Sequence, residues 1–433
     1  MSSIGIIIKQ TRLSNNIKQA NLVKGICSPS YLSKVENNVI TPKKDILNLL
    51  LKKLNIELTE TTIEDESHYI SSLFQMYKEA VLKRDRFQVK KSLNKFSEQS
   101  INFSETSNYY YFQLYMFRIR LICSDNAEKL SEHIRVLFQL KENFNFKQLF
   151  LYHLNVSLYY YKNKQYNQAL SQLKNSLQIV NDITIEDWEL ADYYNALSIC
   201  YSIINDHFNA LTFATISSNY FNNYQLNERK IDNYIIIGNA HQNLLDYKSA
   251  EKNFHLAQQT AKKLNNKEYE GIIYHNLGSM YAMQDKHLIA VENFKLSFSY
   301  KQQKKQYLKS LPTILCIVQE YAKHDNSQQV INWCQKALET LSKVPSSTPS
   351  HESYTLHFEI FKTIYQKDGD LEQIFKKAIK YFENVRSYRY VQKYSIMFGD
   401  YFFENNKFKK ASIYYQKANK FLYLKNSIKL EEM

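Results

Sequence analysis

Gly278-Ser-Met-Tyr281-Ala-Met-Gln-Asp-Lys-His287-Leu-Ile-Ala290 has two earlier counterparts in the chain. They are Gly238-Asn-Ala-His241-Gln-Asn-Leu-Leu-Asp-Tyr247-Lys-Ser-Ala250 and Ser198-Ile-Cys-Tyr201-Ser-Ile-Ile-Asn-Asp-His207-Phe-Asn-Ala210. In each, a small residue precedes two Tyr or His positions and then an alanine, at the same spacing. Tyr160, Tyr166 and Ala169 repeat the last three positions upstream, so the anchor alanines fall at 169, 210, 250 and 290. Val330, with Tyr321 ahead of it, continues the period; Ile374 follows less regularly, and Ala411 after Phe408 belongs to a last unit. Two helices that cross closely need Ala or Gly at the contact and an aromatic ring to fill the hole beside it. The pattern therefore predicts a chain of helix pairs, each stacked on the next.

This arrangement resembles the tetratricopeptide repeat: a helix with bulky, small and aromatic positions, a turn, then a helix with Ala near its start. The period near forty residues exceeds the usual ~34 of that repeat, so longer helices are expected. Weaker pairs around 68–100 and 108–145 precede the clear units, giving about nine pairs. The expected fold class is all-α: a five-helix N-terminal domain followed by a right-handed superhelical array. The concave face of such an array binds peptides or protein segments.

Composition agrees. The 433 residues include only 7 Gly and 5 Pro, far below ordinary usage, so sheets rich in tight turns are excluded. With glycines only at 5, 25, 238, 271, 278, 369 and 399, no dinucleotide or P-loop phosphate motif can be written. The eleven His show no HExxH and no metal-ligand spacing, and no cofactor or metal is expected. His351 and His357 read as surface residues of a Ser/Thr/Pro-rich turn region. Five Cys, none in CxxC, read as reduced thiols, mostly buried. No secretory leader or membrane-length apolar run is present in this sequence, and the expected location is cytoplasmic, without membrane association.

The net charge of +14 favours polyanionic partners. Its densest share lies in residues 1–60, where nine Lys and Arg face four Asp and Glu. Short helical patterns run there through Ile4–Arg12, Ile17–Lys24, Pro29–Glu36, an element capped by Thr41-Pro42, and the apolar spacing of Ile46, Leu47, Leu50, Leu51 and Leu54. Gly25-Ile26-Cys27 makes a tight turn. Ser28 is a good N-cap with Pro29 at the first helical position. The segment resembles the phage-repressor-type (XRE) helix-turn-helix family. Its pattern is met by Arg12, by Gln19-Ala20-Asn21-Leu22-Val23, and by Ser28-Pro29-Ser30-Tyr31-Leu32-Ser33-Lys34-Val35-Glu36, with Asn38 where the family closes on Gly.

The resemblance implies double-stranded DNA as a partner. Gln19 is expected to hold a phosphate at the start of the second helix. Ser28, Ser30, Tyr31 and Lys34 are expected on the outward face of the reading helix, Lys34 toward a guanine edge. Leu22, Leu32 and Val35 pack inward, and Arg12 with Glu36 forms an internal ion pair. The expected domains are a DNA-binding domain over 1–58, an acidic, Thr-rich linker over 59–67, and the repeat array over 68–433. On the array, recurrent inner-helix asparagines are candidate peptide ligands: Asn155, Asn195, Asn239 and Asn276. A side-chain amide donates to and accepts from a peptide backbone at once.

A helix-turn-helix followed by long tetratricopeptide repeats resembles the peptide-pheromone receptors of the Rap/NprR/PlcR/Rgg group. The resemblance implies a quorum-sensing transcription regulator, switched by a short signalling peptide on the concave face, that is not an enzyme. It also implies a homodimer, with higher oligomers on peptide binding, because two half-sites need two reading helices. The alternative is a Rap-like phosphatase or sequestering partner of a phosphorelay response regulator, or a chain with both roles. Gln75, Gln88 and Gln99 are the glutamines in the region where a hydrolytic water would need positioning.

Overall fold

The computed structural model describes residues 4–37, 39–56, 63–83, 86–97, 103, 105–123, 127–223 and 226–426. Among them there are helices and turns but no strand. The chain divides into two compact units, Met1–Asp246 and Tyr247–Met433.

The first unit opens with α1 (Ile4–Ser14), α2 (Gln19–Val23), α3 (Pro29–Glu36) and α4 (Lys44–Lys53). Ile4, Ile8, Leu22, Val23, Leu32, Val35, Leu50, Leu51 and Leu54 form their core. The expected five helices are four among the described residues. Residues 41–43 stay extended, because Pro42 disfavours helical backbone in the residue before it and the helix starts only after Lys43.

The first unit continues with α5 (Ile63–Lys83), α6 (Arg86–Ser97), α7 (Thr106–Cys123), α8 (Ala127–Leu140), α9 (Phe146–Lys162), α10 (Tyr166–Ile179), α11 (Asp187–Ile203), α12 (His207–Asn223) and α13 (Asn227–Asn243). The second holds α14 (Tyr247–Lys263), α15 (Lys267–Met283), α16 (His287–Gln303), α17 (Tyr307–Lys323), α18 (Ser327–Leu341), α19 (His351–Gln366), α20 (Leu371–Asn384), α21 (Tyr388–Glu404) and α22 (Phe408–Asn426). The anchors Ala169, Ala210, Ala250, Ala290, Val330 and Ala411 are all buried. A Cβ on Gly278 would stand 2.6 Å from the Phe294 ring, so the crossing of α15 on α16 needs the missing side chain.

The acidic stretch expected as linker is already helix from Ile63. Glu64, Asp65 and Glu66 sit in the first turn of α5, where the helix dipole favours negative charge. Glu66 is buried and accepts from the Glu105 N–H at 3.2 Å and the Asn108 amide at 2.8 Å. Residues 57–62 lie outside the described residues.

Nearly all turns do without glycine. The backbone is left-handed at Lys164, Asn205, Leu245, Asn265, Asp285, Lys305, Asp325, Arg386 and Asn406, with φ between 50° and 64°. The N–H of the next residue then returns to a carbonyl five positions back, as from Asp206 to Tyr201 at 3.0 Å and from Lys286 to Tyr281 at 3.0 Å. This is the Schellman closure of a helix C-terminus.

Ile6 does not belong to the core of its own four helices. It is buried with the aromatic and aliphatic residues of α5–α9, and Ile7 packs against the same cluster. A cavity of about 520 Å³ lies beside it, lined among others by Lys9, Glu36, Ser107, Tyr110, Gln139 and Asn143.

Candidate functional site

The helix-turn-helix is pinned from inside. Arg12 reaches Glu36 through Nε at 2.5 Å and Nη2 at 2.8 Å, with both residues buried, and Arg12 Nη1 donates to the Ile17 carbonyl at 2.9 Å. Paired in this bidentate way, the buried carboxylate leaves the outer charge to lysines. Lys18, Lys24, Lys34, Lys43 and Lys44 are all exposed. Gly25 takes φ +80° in the turn between α2 and α3, with open space around it.

The five residues expected to meet DNA divide. Ser28 caps α3 by accepting the Tyr31 N–H at 3.1 Å. Tyr31 packs half-buried against the local core, and its hydroxyl accepts the Lys43 N–H at 3.2 Å. Ser30 and Lys34 are exposed and make no side-chain hydrogen bond or ion pair among the described residues. Gln19 departs from its expected role: its amide nitrogen donates to Glu36 at 2.7 Å. The pull of a buried carboxylate turns this side chain inward, away from a phosphate.

The four asparagines divide as well. Asn155 is 1% exposed, and its amide donates to the Leu114 carbonyl at 2.9 Å, stitching α9 to α7. Asn195 is 3% exposed. These two of the four candidate peptide ligands lie inside the packing rather than on a free surface. Asn239 and Asn276 are half-buried on α13 and α15. Asn155 and Asn276 stand equally far from their anchor alanines, yet only Asn155 meets a neighbouring helix's open carbonyl.

The most highly charged buried contact was not among the expected residues. Asp192 on α11 accepts from Arg118 of α7 at 2.5 Å and from Arg229 of α13 at 2.6 Å, and all three are buried. Two guanidiniums thus share one buried carboxylate, in an interior where charge interactions are weakly screened. Arg118 Nε has no hydrogen-bond partner among the described residues. Both arginines line a cavity of about 330 Å³, with Arg86, Lys162 and Tyr161 beside them and Val81, Leu121 and Leu158 as its apolar part. Such a pocket suits a carboxylate carried on an apolar chain. The available sequence signal was Arg118 itself, a charge inside the apolar run Tyr115-Met-Phe-Arg-Ile-Arg-Leu-Ile-Cys123.

The second unit carries buried amines of its own. Lys301 donates to Thr313 Oγ1 at 2.7 Å, and Thr313 lies 3.1 Å from His275 Nδ1, next to Asn276. Burial pushes Lys301 down to about 8 and His275 to about 4. Lys393 is likewise held at about 8, and the Cys316 thiol is pushed up to about 11 by burial. All five cysteines are free thiols; Cys200 and Cys334 are buried and the other three half-buried. His357, expected at the surface, is buried and bonded to the Tyr394 hydroxyl. No described helix is long and apolar enough to cross a membrane. Gln75 and Gln88 are exposed on α5 and α6, and Gln99 lies outside the described residues.

Residues 8–60 match the helix-turn-helix family model. The chain is 25% identical over 416 residues to the transcriptional activator NprA of Geobacillus stearothermophilus, covering 94% of this chain and all of that protein. It is 20% identical over 317 residues to response regulator aspartate phosphatase E of Bacillus subtilis (strain 168), covering 71% of this chain and 82% of the relative. The apo form of the quorum sensor NprR from B. thuringiensis superposes with a TM-score of 0.67 at 16% identity, over 83% of this chain and 99% of that one. The fold is thus an XRE-type helix-turn-helix joined to a helical repeat array of the NprR and Rap kind.

Proposed function

We propose that this chain, built as the NprR and Rap proteins are, is a quorum-sensing transcription regulator switched by a short signalling peptide. Residues 1–58 read DNA as one half of a homodimer, and 68–433 form the sensing array. Ser30 and Lys34 make the base contacts, the exposed lysines around them hold the phosphates, and the peptide lies along the inner helices. The observation that carries the reading is the presence, on one chain, of an exposed reading helix with lysines around it and a cationic pocket. An acidic group of the peptide enters the Arg118–Arg229 pocket, where a carboxylate gains two charge-assisted donors in a setting with little water. Asn239, in the same unit and half-buried on α13, is the amide left to hold its backbone.

The test uses the full chain and DNA from its own promoter region, titrated at several salt concentrations. The probe is a synthetic peptide encoded by a short open reading frame beside the gene. A sequence preference in DNA binding that the peptide alters is expected; indifference to DNA sequence overturns the first half, and indifference to peptide the second. A second reading is favoured by the similarity to aspartate phosphatase E: dephosphorylation or sequestration of a response regulator. Phosphate release from a phosphorylated response regulator separates that activity from DNA binding.

A further inference from the structure

The sequence shows no metal-ligand spacing, yet three ligand-type side chains converge in the second unit. His287 opens α16, Glu320 lies on the last turns of α17, and His324 caps that helix. One ligand atom from each lies within 4.8 Å of the other two. His287 Nδ1 stands 3.5 Å from Glu320 Oε2, and the two imidazole rings have their centroids 3.9 Å apart. Two ligands of a tetrahedral zinc ion, each at ~2.0–2.1 Å, stand about 3.3 Å apart. The His287–Glu320 gap already has that size. His324 is exposed and has room to turn its ring the remaining distance.

His287 Nδ1 is buried and makes no hydrogen bond among the described residues, although it stands 3.5 Å from Glu320 Oε2 and points at this cluster. A buried polar atom without a partner costs ~1–3 kcal/mol and calls for an explanation. A cation between His287, Glu320 and His324 supplies one. Glu320 is prepared for the role: its other oxygen accepts Lys323 Nζ at 2.7 Å, which fixes the carboxylate and leaves Oε2 toward the histidines. Tyr321 sets the His287 ring edge-on at 5.8 Å between centroids.

We propose that His287, Glu320 and His324 form a binding site for a divalent transition metal, zinc by ligand type, with a fourth position open to water. Two nitrogens and one carboxylate suit zinc over calcium or magnesium, which take oxygen ligands. The ion ties the start of α16 to the end of α17.

The test uses the full chain without a histidine tag, kept reduced and metal-free. Zinc affinity is read by competition with a chromophoric chelator. Cobalt(II) then reports the ligands: four-coordinate d–d absorption without intense thiolate charge transfer separates this site from the five cysteines. One ion per chain is expected, with affinity at least tenfold weaker in His287→Ala and in His324→Ala. His324 is exposed, so its variant keeps the fold, which far-ultraviolet circular dichroism checks. Failure to bind one ion per chain overturns the proposal. So does unchanged affinity in folded His324→Ala, or a cobalt spectrum dominated by thiolate.

Discussion

Gln19 donates its side-chain amide to Glu36 at 2.7 Å, onto the same carboxylate that Arg12 grips with two nitrogens. The first three helices are therefore joined at one buried acid. Gln19→Ala should cost about 1.5–3 kcal/mol of stability in the DNA-reading domain, the size of a hydrogen bond to a charged group. DNA affinity should fall with it, while the slope of log affinity against log salt stays unchanged, because no phosphate contact is lost. Chemical denaturation and salt-dependent fluorescence anisotropy check the two halves.

Lys34 behaves differently, because it is exposed and directed outward from α3. Lys34→Ala should cost about 1–3 kcal/mol on the preferred operator and relax preference at one base pair. Binding to a set of single-base operator variants checks this. An equal loss on every variant would reassign Lys34 to the phosphate backbone.

Asp192 holds two buried guanidiniums. Asp192→Asn keeps the shape and removes the charge that both guanidiniums share. Breaking a buried pair from one side costs about 3–5 kcal/mol, and urea denaturation should show a loss of that order. Arg118→Met should cost less, since Arg229 still meets Asp192, and should weaken binding of an acidic peptide by tenfold or more.

Leu245 takes φ 64° in a turn and is 65% exposed. A left-handed conformation costs a residue with a Cβ about 1–2 kcal/mol, and nothing in the surroundings of an exposed leucine repays it. Leu245→Gly should therefore raise stability, by about 0.5–1 kcal/mol after the extra chain entropy of glycine is counted. Thermal melts of the two proteins at one pH decide it.

Acid should weaken the fold through its buried histidines. His133, His275 and His357 are held at about 3, 4 and 3 by burial, helped by neighbouring Arg120, Lys301 and Lys393 respectively. The unfolded chain takes up protons near ~6.5, and the folded chain does so only far below. Stability is full above that pH and falls as pH drops toward 4, by about 1.4 kcal/mol per pH unit for each histidine. His357→Gln should lose one such share of the slope, read as the difference between variant and parent in melts at pH 7 and pH 5.

The repeat was legible because its signal is local. Ala169, Ala210, Ala250 and Ala290 each announce a helix crossing within the residues around them, and all four are buried. The turn at Gly25 and the cap at Ser28 were readable for the same reason. What escaped depends on neighbours far along the chain. Arg118 and Asp192 are 74 residues apart, and Asn155 meets a carbonyl 41 residues away. A period tells which face of a helix turns inward, but not whether an open carbonyl, a cation or a ring waits there. The metal-type cluster was hidden likewise, since His287 and His324 belong to different helices.

Ile6 gives the reading domain an energetic threshold. It sits on α1, the first helix of the helix-turn-helix domain, yet its side chain is buried in the array's core. Swinging the four helices away would return that side chain to water, at about 1.5–3 kcal/mol. A ligand that drives such a swing must prefer the swung state by at least as much, a differential affinity of roughly 10- to 150-fold. A peptide that binds both orientations alike would leave the DNA-reading head where it is, however tightly it bound. The useful measure of a signal for this chain is thus its discrimination between two orientations rather than its dissociation constant.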